Sequence, residues 1–381
     1  MSQDFISVDP ADAGGSRLPA LSLAAGLLRD AVAMAGSRFA APDDIDTAMR
    51  LGAGHPVGPL ALLRELGPEV RHRGGLPEPP GPGTALVAED AGQDAPDHPV
   101  GIAGTGTMAT GIAEALVRAG VPTTVLGRSQ ASVERLRIAV AASLEAAVAK
   151  GRLAQGERRR ALDALTVTTE PGDLTGCGHV IEAVAEQADA KRELLARLDA
   201  VLPDAAVLAT NTSSLTVGEL RAGLPAGRTV IALHFFNPAR AMKLVEVVGE
   251  DETAVSAARA WAHRIGKVPV RCGDQRGFIV NRLLIPFLND AVRLLDAGAF
   301  TAAEADALMR DALGHPMGPF ELIDLIGTDV TAAAQTSLHE AFGEPRLSPA
   351  DGLLRLASEG HLGRKSGRGF HDHTSTTRST T

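Results

Sequence analysis

His234 and Glu246 are the residues of this 381-residue chain whose types and surroundings best fit acid–base chemistry. His234 opens the segment His-Phe-Phe-Asn-Pro, and Glu246 lies in the apolar run Leu-Val-Glu-Val-Val that follows. A carboxylate between two valines is costly to bury without a hydrogen-bonding partner. An imidazole needs a partner that fixes its tautomer before it can take a proton from an alcohol near neutral pH. The pair predicts a catalytic histidine oriented by a glutamate, although a lone histidine beside aromatic residues is more often a packed core residue.

A glycine-rich segment upstream has the pattern of a dinucleotide-binding loop. It follows a short apolar run, precedes a helical pattern, and consists of Gly104, Thr105, Gly106, Thr107, Met108 and Ala109. The first glycine permits a tight turn, the second lets the backbone approach a pyrophosphate, and the alanine allows the helix to pack closely on the strand. A second predicted strand follows the helix. This order predicts a Rossmann-type domain that binds a nicotinamide dinucleotide.

The residues after the second predicted strand bear on the choice of cofactor. NAD enzymes of this fold place an acidic residue there to bind the ribose hydroxyls, whereas this chain has Gly127, Arg128 and Ser129. The glycine removes repulsion against a 2′-phosphate, and the arginine and serine offer hydrogen-bond donors to it. The sequence therefore predicts a preference for NADP(H), with NAD as the alternative if Arg128 is only a solvated surface charge.

The N-terminal region repeats part of the C-terminal region. The sequence Asp46-Thr-Ala-Met-Arg followed by Gly54-His-Pro-Val-Gly-Pro recurs as Asp306-Ala-Leu-Met-Arg followed by Gly314-His-Pro-Met-Gly-Pro, with the same spacing. No glycine loop precedes the first copy, so we expect a non-catalytic helical unit. Such a unit cannot bury its apolar face alone, and we expect it to pack on a helical domain.

The sequence patterns divide the chain into five segments. Short apolar strands alternate with helical patterns as far as about residue 275, which predicts a doubly wound α/β sheet, and the pattern beyond is helical. A stretch rich in Pro, Gly and Asp has the composition of a linker. We predict a truncated helical repeat at 16–70, a linker at 71–98, a Rossmann domain at 99–275, a helical domain at 276–371 and a disordered tail at 372–381.

The charge, the cysteine content and the N-terminus of the chain limit the classes of partner and the cellular locations that we expect. A formal net charge of -9 with interspersed signs disfavours nucleic acid as a partner. Cys177 and Cys272 have neither metal-binding nor redox spacing, so we predict two reduced cysteines and no metal site. The N-terminus lacks the features of a signal peptide, and no apolar stretch is long enough to cross a membrane. We therefore expect a soluble cytoplasmic protein.

From about residue 99 to residue 370 the chain resembles the (3S)-3-hydroxyacyl-CoA dehydrogenases, including the 3-hydroxybutyryl-CoA enzymes. The resemblance rests on eight ordered blocks, and it implies an NAD(P)-binding domain followed by a helical domain, with the active site between them. The blocks are Gly104-Thr-Gly-Thr-Met, Ile181-Glu-Ala-Val-Ala-Glu, Ala209-Thr-Asn-Thr-Ser-Ser-Leu, His234-Phe-Phe-Asn-Pro, Met242-Lys-Leu-Val-Glu-Val, Gly277-Phe-Ile-Val-Asn-Arg-Leu, His315-Pro-Met-Gly-Pro and Leu362-Gly-Arg-Lys-Ser-Gly-Arg-Gly-Phe.

The resemblance also implies roles for individual residues. His234 would be the general base toward the 3-hydroxyl, and Glu246 would support its imidazolium. Groups around the substrate oxygens would be Ser213, Asn237 and Asn281. Cofactor contacts beyond the glycine loop would come from Glu186, Lys191 and Asn211, and the CoA portion would meet Ser143 and Lys150. Ser213 and Asn281 could instead be helix-start residues, and Lys150 a solvated charge.

Two departures from the family pattern concern the catalytic loop and the extra repeat. Arg240 adds a cation after Asn237-Pro238, where relatives carry an apolar stretch, and it could contact a phosphate or an acidic substrate. Leu21 occupies the position of Asn281 in the N-terminal repeat. Because the helical domain commonly makes the dimer contact in this family, we expect either a homodimer or an intrachain pseudo-dimer with the repeat.

The leading hypothesis is an oxidoreductase that interconverts a (3S)-3-hydroxyacyl-CoA and the 3-oxoacyl-CoA, with acyl-CoA thioesters as its partners. A close variant carries the thioester on an acyl carrier protein, for which Arg240 and the N-terminal unit give the only support. Free-acid dehydrogenases of related fold match less well. A hypothesis of another class is a catalytically silent NADP-binding scaffold, which retention of the full proton-transfer set disfavours.

Overall fold

The computed structural model describes residues 17–81 and 98–374. The contacts divide the chain into two units, one formed by residues 1–84 with 279–381 and the other by residues 85–278. The predicted α/β domain falls in the second unit, and the two predicted helical segments share the first. The Rossmann-type fold with helical segments at both ends is therefore confirmed.

The described part of the chain contains the following α-helices and β-strands. The helices are α1 (Leu18–Leu23), α2 (Ala25–Gly36), α3 (Pro42–Gly52), α4 (Pro59–Glu65), α5 (Pro68–Arg73), α6 (Thr107–Arg118), α7 (Gln130–Ala149), α8 (Gln155–Asp163), α9 (Ala188–Asp199), α10 (Val217–Arg221), α11 (Glu252–Arg264), α12 (Val280–Asp296), α13 (Ala302–Leu313), α14 (Pro319–Ile326), α15 (Thr328–Phe342) and α16 (Asp351–Ser358). The strands are β1 (Val100–Ala103), β2 (Thr123–Leu126), β3 (Leu165–Thr168), β4 (His179–Glu182), β5 (Val207–Thr210), β6 (Val230–Phe235), β7 (Leu244–Val248) and β8 (Val268–Arg271).

The eight strands form a single sheet in the order β3-β2-β1-β4-β5-β6-β7-β8. Neighbouring strands are parallel except for the pair β6 and β7, which is antiparallel. Every residue of β6 and β7 is buried, as expected for central strands whose two faces are both covered. The core packed on the sheet includes Ile112 of α6 and Trp261 of α11. The sheet therefore brings the ends of several strands to one edge, where this fold builds its sites.

The helical unit contains two copies of one helical pattern. Helix α2 of the first copy packs along α12 of the second, and α1 packs on α13. Gly26 allows this close approach, because a Cβ there would lie 2.3 Å from Asp290 Oδ2. The first copy is thus covered by the second within the same unit, as the apolar faces of both require.

A buried aspartate at equivalent positions organises each copy. Asp306 accepts hydrogen bonds from Phe320 N and from the ring of His371 in the C-terminal segment. Asp46, its counterpart, accepts from Leu60 N and from Arg64. The first copy lacks the C-terminal segment, and a nearby arginine contacts its aspartate as the histidine does in the second copy. This exchange explains how a truncated repeat keeps its fold.

The ends of the helical segments extend past the predicted boundaries. Arg71 is buried and donates to Leu63 O at 3.0 Å and to Glu78, so residues at the start of the predicted linker pack on the helical unit. At the other end His373 pairs with buried Asp324 at 2.8 Å, within the predicted tail. The rest of the predicted linker and tail lies outside the described residues. No described helix is long and apolar enough to span a membrane.

Candidate active site

The antiparallel pairing of β6 and β7 sets His234 directly opposite Glu246. The ring Nδ1 of His234 lies 2.6 Å from Glu246 Oε2, and the glutamate side chain is fully buried. Because a carboxylate can only accept, Nδ1 carries the hydrogen, which leaves Nε2 as the nitrogen that exchanges a proton. The rings of Phe236 and Phe278 lie 4.5 and 5.7 Å from the imidazole and limit its rotation. The geometry suits a general base with a fixed tautomer.

Asn211 at the end of β5 braces the strand that carries the histidine. Its side-chain Oδ1 accepts a hydrogen bond from Phe235 N at 2.8 Å. The amide oxygen is therefore occupied inside the protein, and the Nδ2 group remains as a donor for a bound molecule. The cofactor contact predicted for Asn211 stays a prediction, and it is limited to that amide group.

Glu186 organises the turn that carries Ser213. Its Oε1 accepts from Thr212 Oγ1 at 2.7 Å, from Ser213 N at 2.5 Å and from Ser214 N at 3.0 Å. Burial acts to raise the pKa of Glu186, but the ammonium of Lys191 and these hydrogen bonds outweigh it and lower the pKa to about 2. The Ser213 hydroxyl lies 3.2 Å from the same oxygen. Glu186 is therefore an anion at neutral pH, and its carboxylate holds Ser213 in place.

Lys191 joins Glu186 to a second carboxylate that sequence reasoning missed. Its Nζ lies 2.9 Å from Glu182 Oε1 and 3.0 Å from Glu186 Oε2, and the side chain is 1% exposed. Glu182, fully buried at the end of β4, also accepts from Thr210 Oγ1 of β5 at 2.7 Å. A carboxylate in the apolar strand Val180-Ile-Glu was the available signal. In this structure Lys191 is a buried link between two carboxylates rather than an accessible cation.

The glycine loop has the geometry that a pyrophosphate needs. Gly104 has φ +138°, and a Cβ there would lie 2.4 Å from Ala183 O, so only glycine fits. A Cβ at Gly106 would stand in open space before helix α6. The backbone N–H groups and the dipole at the start of that helix favour an anion there. Ala109 is fully buried, and Met108 is half-buried while Thr107 is exposed. These residues fit a dinucleotide.

The end of β2 has no room for a carboxylate. A Cβ at Gly127 would lie 2.5 Å from Val133 Cγ1 and 2.8 Å from Thr105 Cγ2. Arg128 and Ser129 are exposed beside it. The Ser129 hydroxyl caps helix α7 by accepting from Ser132 N at 3.3 Å, so it retains only its donor for a ligand.

The remaining predicted residues lie at or near the surface of the α/β unit, except for Asn281, which belongs to the helical unit. Ser143 is half-buried on α7 and Lys150 is exposed at its end. Arg240 lies 4.0 Å from the buried carboxylate of Glu114, which partly offsets its charge. Asn237 is exposed and precedes a cis proline. Asn281 is half-buried at the second residue of α12, in the helical unit.

No group of three or more metal-ligating side chains occurs among residues 17–81 and 98–374.

The glycine loop on a doubly wound sheet, with a tethered histidine at the end of β6, defines a nicotinamide-dependent dehydrogenase.

The profile of the 3-hydroxyacyl-CoA dehydrogenase NAD-binding domain matches residues 99–275, and the profile of the C-terminal domain of that family matches residues 277–373 and also 22–75. A 3-hydroxybutyryl-CoA dehydrogenase of Mycobacterium tuberculosis is 43% identical over 279 residues, which are 72% of this chain and 98% of that protein. The crystal structure of (S)-3-hydroxybutyryl-CoA dehydrogenase from Ralstonia eutropha matches 73% of this chain and 99% of its own, with 34% identity and a TM-score of 0.71.

The chain therefore belongs to the 3-hydroxyacyl-CoA dehydrogenase family. It is an enzyme that uses a nicotinamide cofactor, and the prediction from the eight sequence blocks is confirmed. The hypothesis of a catalytically silent scaffold is set aside on the same grounds. The match at 22–75 assigns the N-terminal repeat to the same helical domain type.

Proposed function

We propose that the protein interconverts a (3S)-3-hydroxyacyl-CoA and its 3-oxoacyl-CoA, with His234 as general base and acid and Glu246 as its orienting partner. The observation that carries the proposal is the 2.6 Å contact between His234 Nδ1 and buried Glu246, which leaves Nε2 for the substrate. The names of the relatives, 3-hydroxybutyryl-CoA dehydrogenases, give the substrate class.

In the oxidative direction His234 Nε2 takes the proton of the 3-hydroxyl group. A dinucleotide held at Gly104, Gly106 and Ala109 would supply the acceptor for the hydride from C3. Glu246 then stabilises the imidazolium, because its negative charge lies in a position shielded from water. Ser213, held by Glu186, and Asn237 supply polar groups toward the substrate oxygens. The substrate contact that the family resemblance implies for Asn281 stays a prediction. In the reductive direction the same imidazolium returns the proton to the forming alcohol.

The experiment that tests this function is the steady-state rate of acetoacetyl-CoA reduction, compared with acetoacetyl thioester on acyl carrier protein. Fast turnover of the CoA thioester supports the proposal. A strong preference for the carrier-protein thioester would show that the substrate is carried on the acyl carrier protein rather than on CoA. Absence of turnover with both thioesters would contradict the proposed substrate class.

We propose NADPH as the preferred cofactor. The support is the lack of room for a carboxylate at Gly127 and the exposed guanidinium of Arg128 beside it. A charge-assisted hydrogen bond to a phosphate contributes about 1.5–3 kcal/mol, which is roughly a ten- to hundredfold effect on binding.

Arg128→Ala is therefore expected to lower kcat/KM for NADPH by about 10- to 100-fold and to leave the value for NADH nearly unchanged. Steady-state rates with both cofactors measure the change. The matched control is Arg135→Ala, an exposed arginine of α7 with no predicted cofactor role. A wild-type preference for NADH would overturn the cofactor proposal and keep the enzyme class.

We propose that the N-terminal repeat substitutes, within one chain, for the helical domain of a second subunit. The contacts between the copies are reciprocal, as in an isologous interface. A Cβ at Gly54 would lie 3.2 Å from Pro316, and a Cβ at Gly314 would lie 3.4 Å from Pro56. The rings of His55 and His315 meet at 4.1 Å on the same interface.

A second set of contacts between the two copies consists of ion pairs. Arg346 binds both carboxylate oxygens of Asp30 at 2.8 Å and reaches Asp290 Oδ2 at 2.6 Å. Asp30 and Asp290 are equivalent positions of the two copies. Burial raises the pKa of both aspartates, so the single arginine compensates two partly desolvated carboxylates.

The pseudo-dimer predicts a 39.3 kDa monomer in light scattering. Arg346→Met is expected to lower the free energy of unfolding by about 1–3 kcal/mol, because two aspartates lose their charged donor. Arg310→Met, which removes a half-exposed pair with Glu321, serves as the control with an expected loss under about 1 kcal/mol. A stable wild-type dimer would favour the alternative, in which the repeat enlarges a true dimer.

A cytoplasmic location completes the proposal. Its support is that Cys177 is a buried free thiol, as expected in a reducing compartment.

A further inference from the structure

The loop 236–243 connects the strand that carries His234 to the strand that carries Glu246, and it contains Asn237. Lys267, the residue before β8, reaches into this loop. Its Nζ donates to Ala239 O at 2.6 Å and to Met242 O at 2.7 Å. The same ammonium thus joins both sides of the turn.

Lys267 is an unusual residue to bury. It is 6% exposed, and no carboxylate of the described residues 17–81 and 98–374 lies within salt-bridge distance of its ammonium. Burial, with the charge of Arg118 nearby, lowers the pKa of Lys267. A desolvated cation compensated only by backbone carbonyls is costly, and an apolar side chain of similar length would fill the space at lower cost. The free-energy cost of burying this ammonium indicates that the geometry of the loop matters for function.

Other contacts close the turn and pack the loop on α6. Pro238 O accepts from Ala241 N at 2.9 Å and from Met242 N at 3.0 Å, which closes the turn. Ala239 is buried against Gly111 of α6, where a Cβ at the glycine would lie 3.2 Å from that of the alanine. With the ammonium removed, Ala239 O and Met242 O lose their donor. The turn that follows Asn237 then loses the two hydrogen bonds that attach it to the start of β8.

We propose that Lys267 is a positioning residue of the dehydrogenase, whose ammonium fastens the loop 236–243 and thereby sets the placement of Asn237 beside the His234–Glu246 pair. The inference rests on the proposed function of these residues. A misplacement of about 1 Å at a reacting group can lower a rate by roughly 100-fold, so a small shift of this loop has a large effect.

The test is Lys267→Met, with Lys267→Gln as the conservative variant and Lys243→Met as the matched control, since Lys243 is an exposed lysine of the same loop. We expect kcat to fall about 10- to 100-fold in Lys267→Met. The glutamine variant, which keeps an N–H donor, should recover part of this loss. Cofactor Kd should change less than about twofold, because the glycine loop is untouched.

A second measurement does not depend on activity. Hydrogen exchange of the Ala241 and Met242 amides, which close the turn, should become faster in Lys267→Met and stay unchanged in Lys243→Met. A folded Lys267→Met with wild-type kcat and unchanged exchange would overturn the proposal; if methionine prevents folding, the same criteria apply to Lys267→Gln. An inactive wild type would overturn the proposed function instead, and the exchange rates would still decide whether Lys267 holds the loop.

Discussion

Replacing His234 by glutamine is expected to lower kcat by about 100- to 10,000-fold, the range that a general acid–base group contributes. Glutamine can keep a hydrogen bond to Glu246 but cannot accept and return a proton. Because the imidazole lies at the end of β6 and not in the glycine loop, cofactor affinity should remain nearly unchanged. Stopped-flow reduction of acetoacetyl-CoA and fluorescence titration of NADPH measure the two quantities separately.

Glu246→Gln provides the companion variant. The amide keeps the shape of the carboxylate but loses the charge that stabilises the imidazolium, so an intermediate loss of kcat is expected. Glu250→Gln is the control, since its side chain is 93% exposed just beyond the same strand. If His234→Gln kept more than about a tenth of wild-type kcat, general base catalysis by this residue would be refuted.

Lys191→Met is expected to destabilise the Rossmann domain by about 3–5 kcal/mol, the cost of removing one partner from a buried ion pair. Lys191 is 1% exposed and Glu182 is fully buried, so water cannot replace the lost ammonium. Urea-induced unfolding followed by circular dichroism measures the change. Lys150→Met, a substitution at an exposed position, should change stability by less than about 0.5 kcal/mol.

The effect of Lys191→Met should depend on pH. The pKa of Glu186 is lowered in the folded protein to about 2 from the usual 4.5, so the stabilisation from its charge is present above pH 4.5 and is lost as the pH falls toward 2. The difference in stability between wild type and variant should therefore shrink over that range. A difference that stayed constant down to pH 2 would contradict the assignment of Glu186 as the charged partner of Lys191.

Local sequence patterns were sufficient for the Rossmann fold and the family. The turn at Gly104, the opening before α6 at Gly106 and the close helix packing at Ala109 each require a particular small residue within a few positions, so their spacing is visible in the sequence. The repeat was visible for the same reason, because equivalent residues such as Asp46 and Asp306 keep their neighbours.

The sequence did not show which hydrogen bonds and ion pairs the individual polar side chains make. Lys191 and Asn211 match cofactor positions of the family, yet in the structure the first is buried between Glu182 and Glu186, and the oxygen of the second braces β6. Sequence reasoning also missed Lys267, because a lysine before an apolar strand has no distinguishing pattern. The contacts of Asn211 and Lys267 join residues from different strands or loops, and so depend on how the sheet is ordered. Those of Lys191 depend on how α9 folds back on the end of β4.

By itself, the sequence determined that a histidine in an aromatic segment and a glutamate in an apolar strand belong to a nicotinamide-dependent dehydrogenase. Their pairing was a prediction from residue type, and only the tertiary structure shows how they meet. The antiparallel pairing of β6 with β7 places His234 and Glu246 at opposite register positions, and a shift of one residue would turn the glutamate to the other face of the sheet. Strand direction and register follow from the packing of the whole domain, which no local pattern encodes.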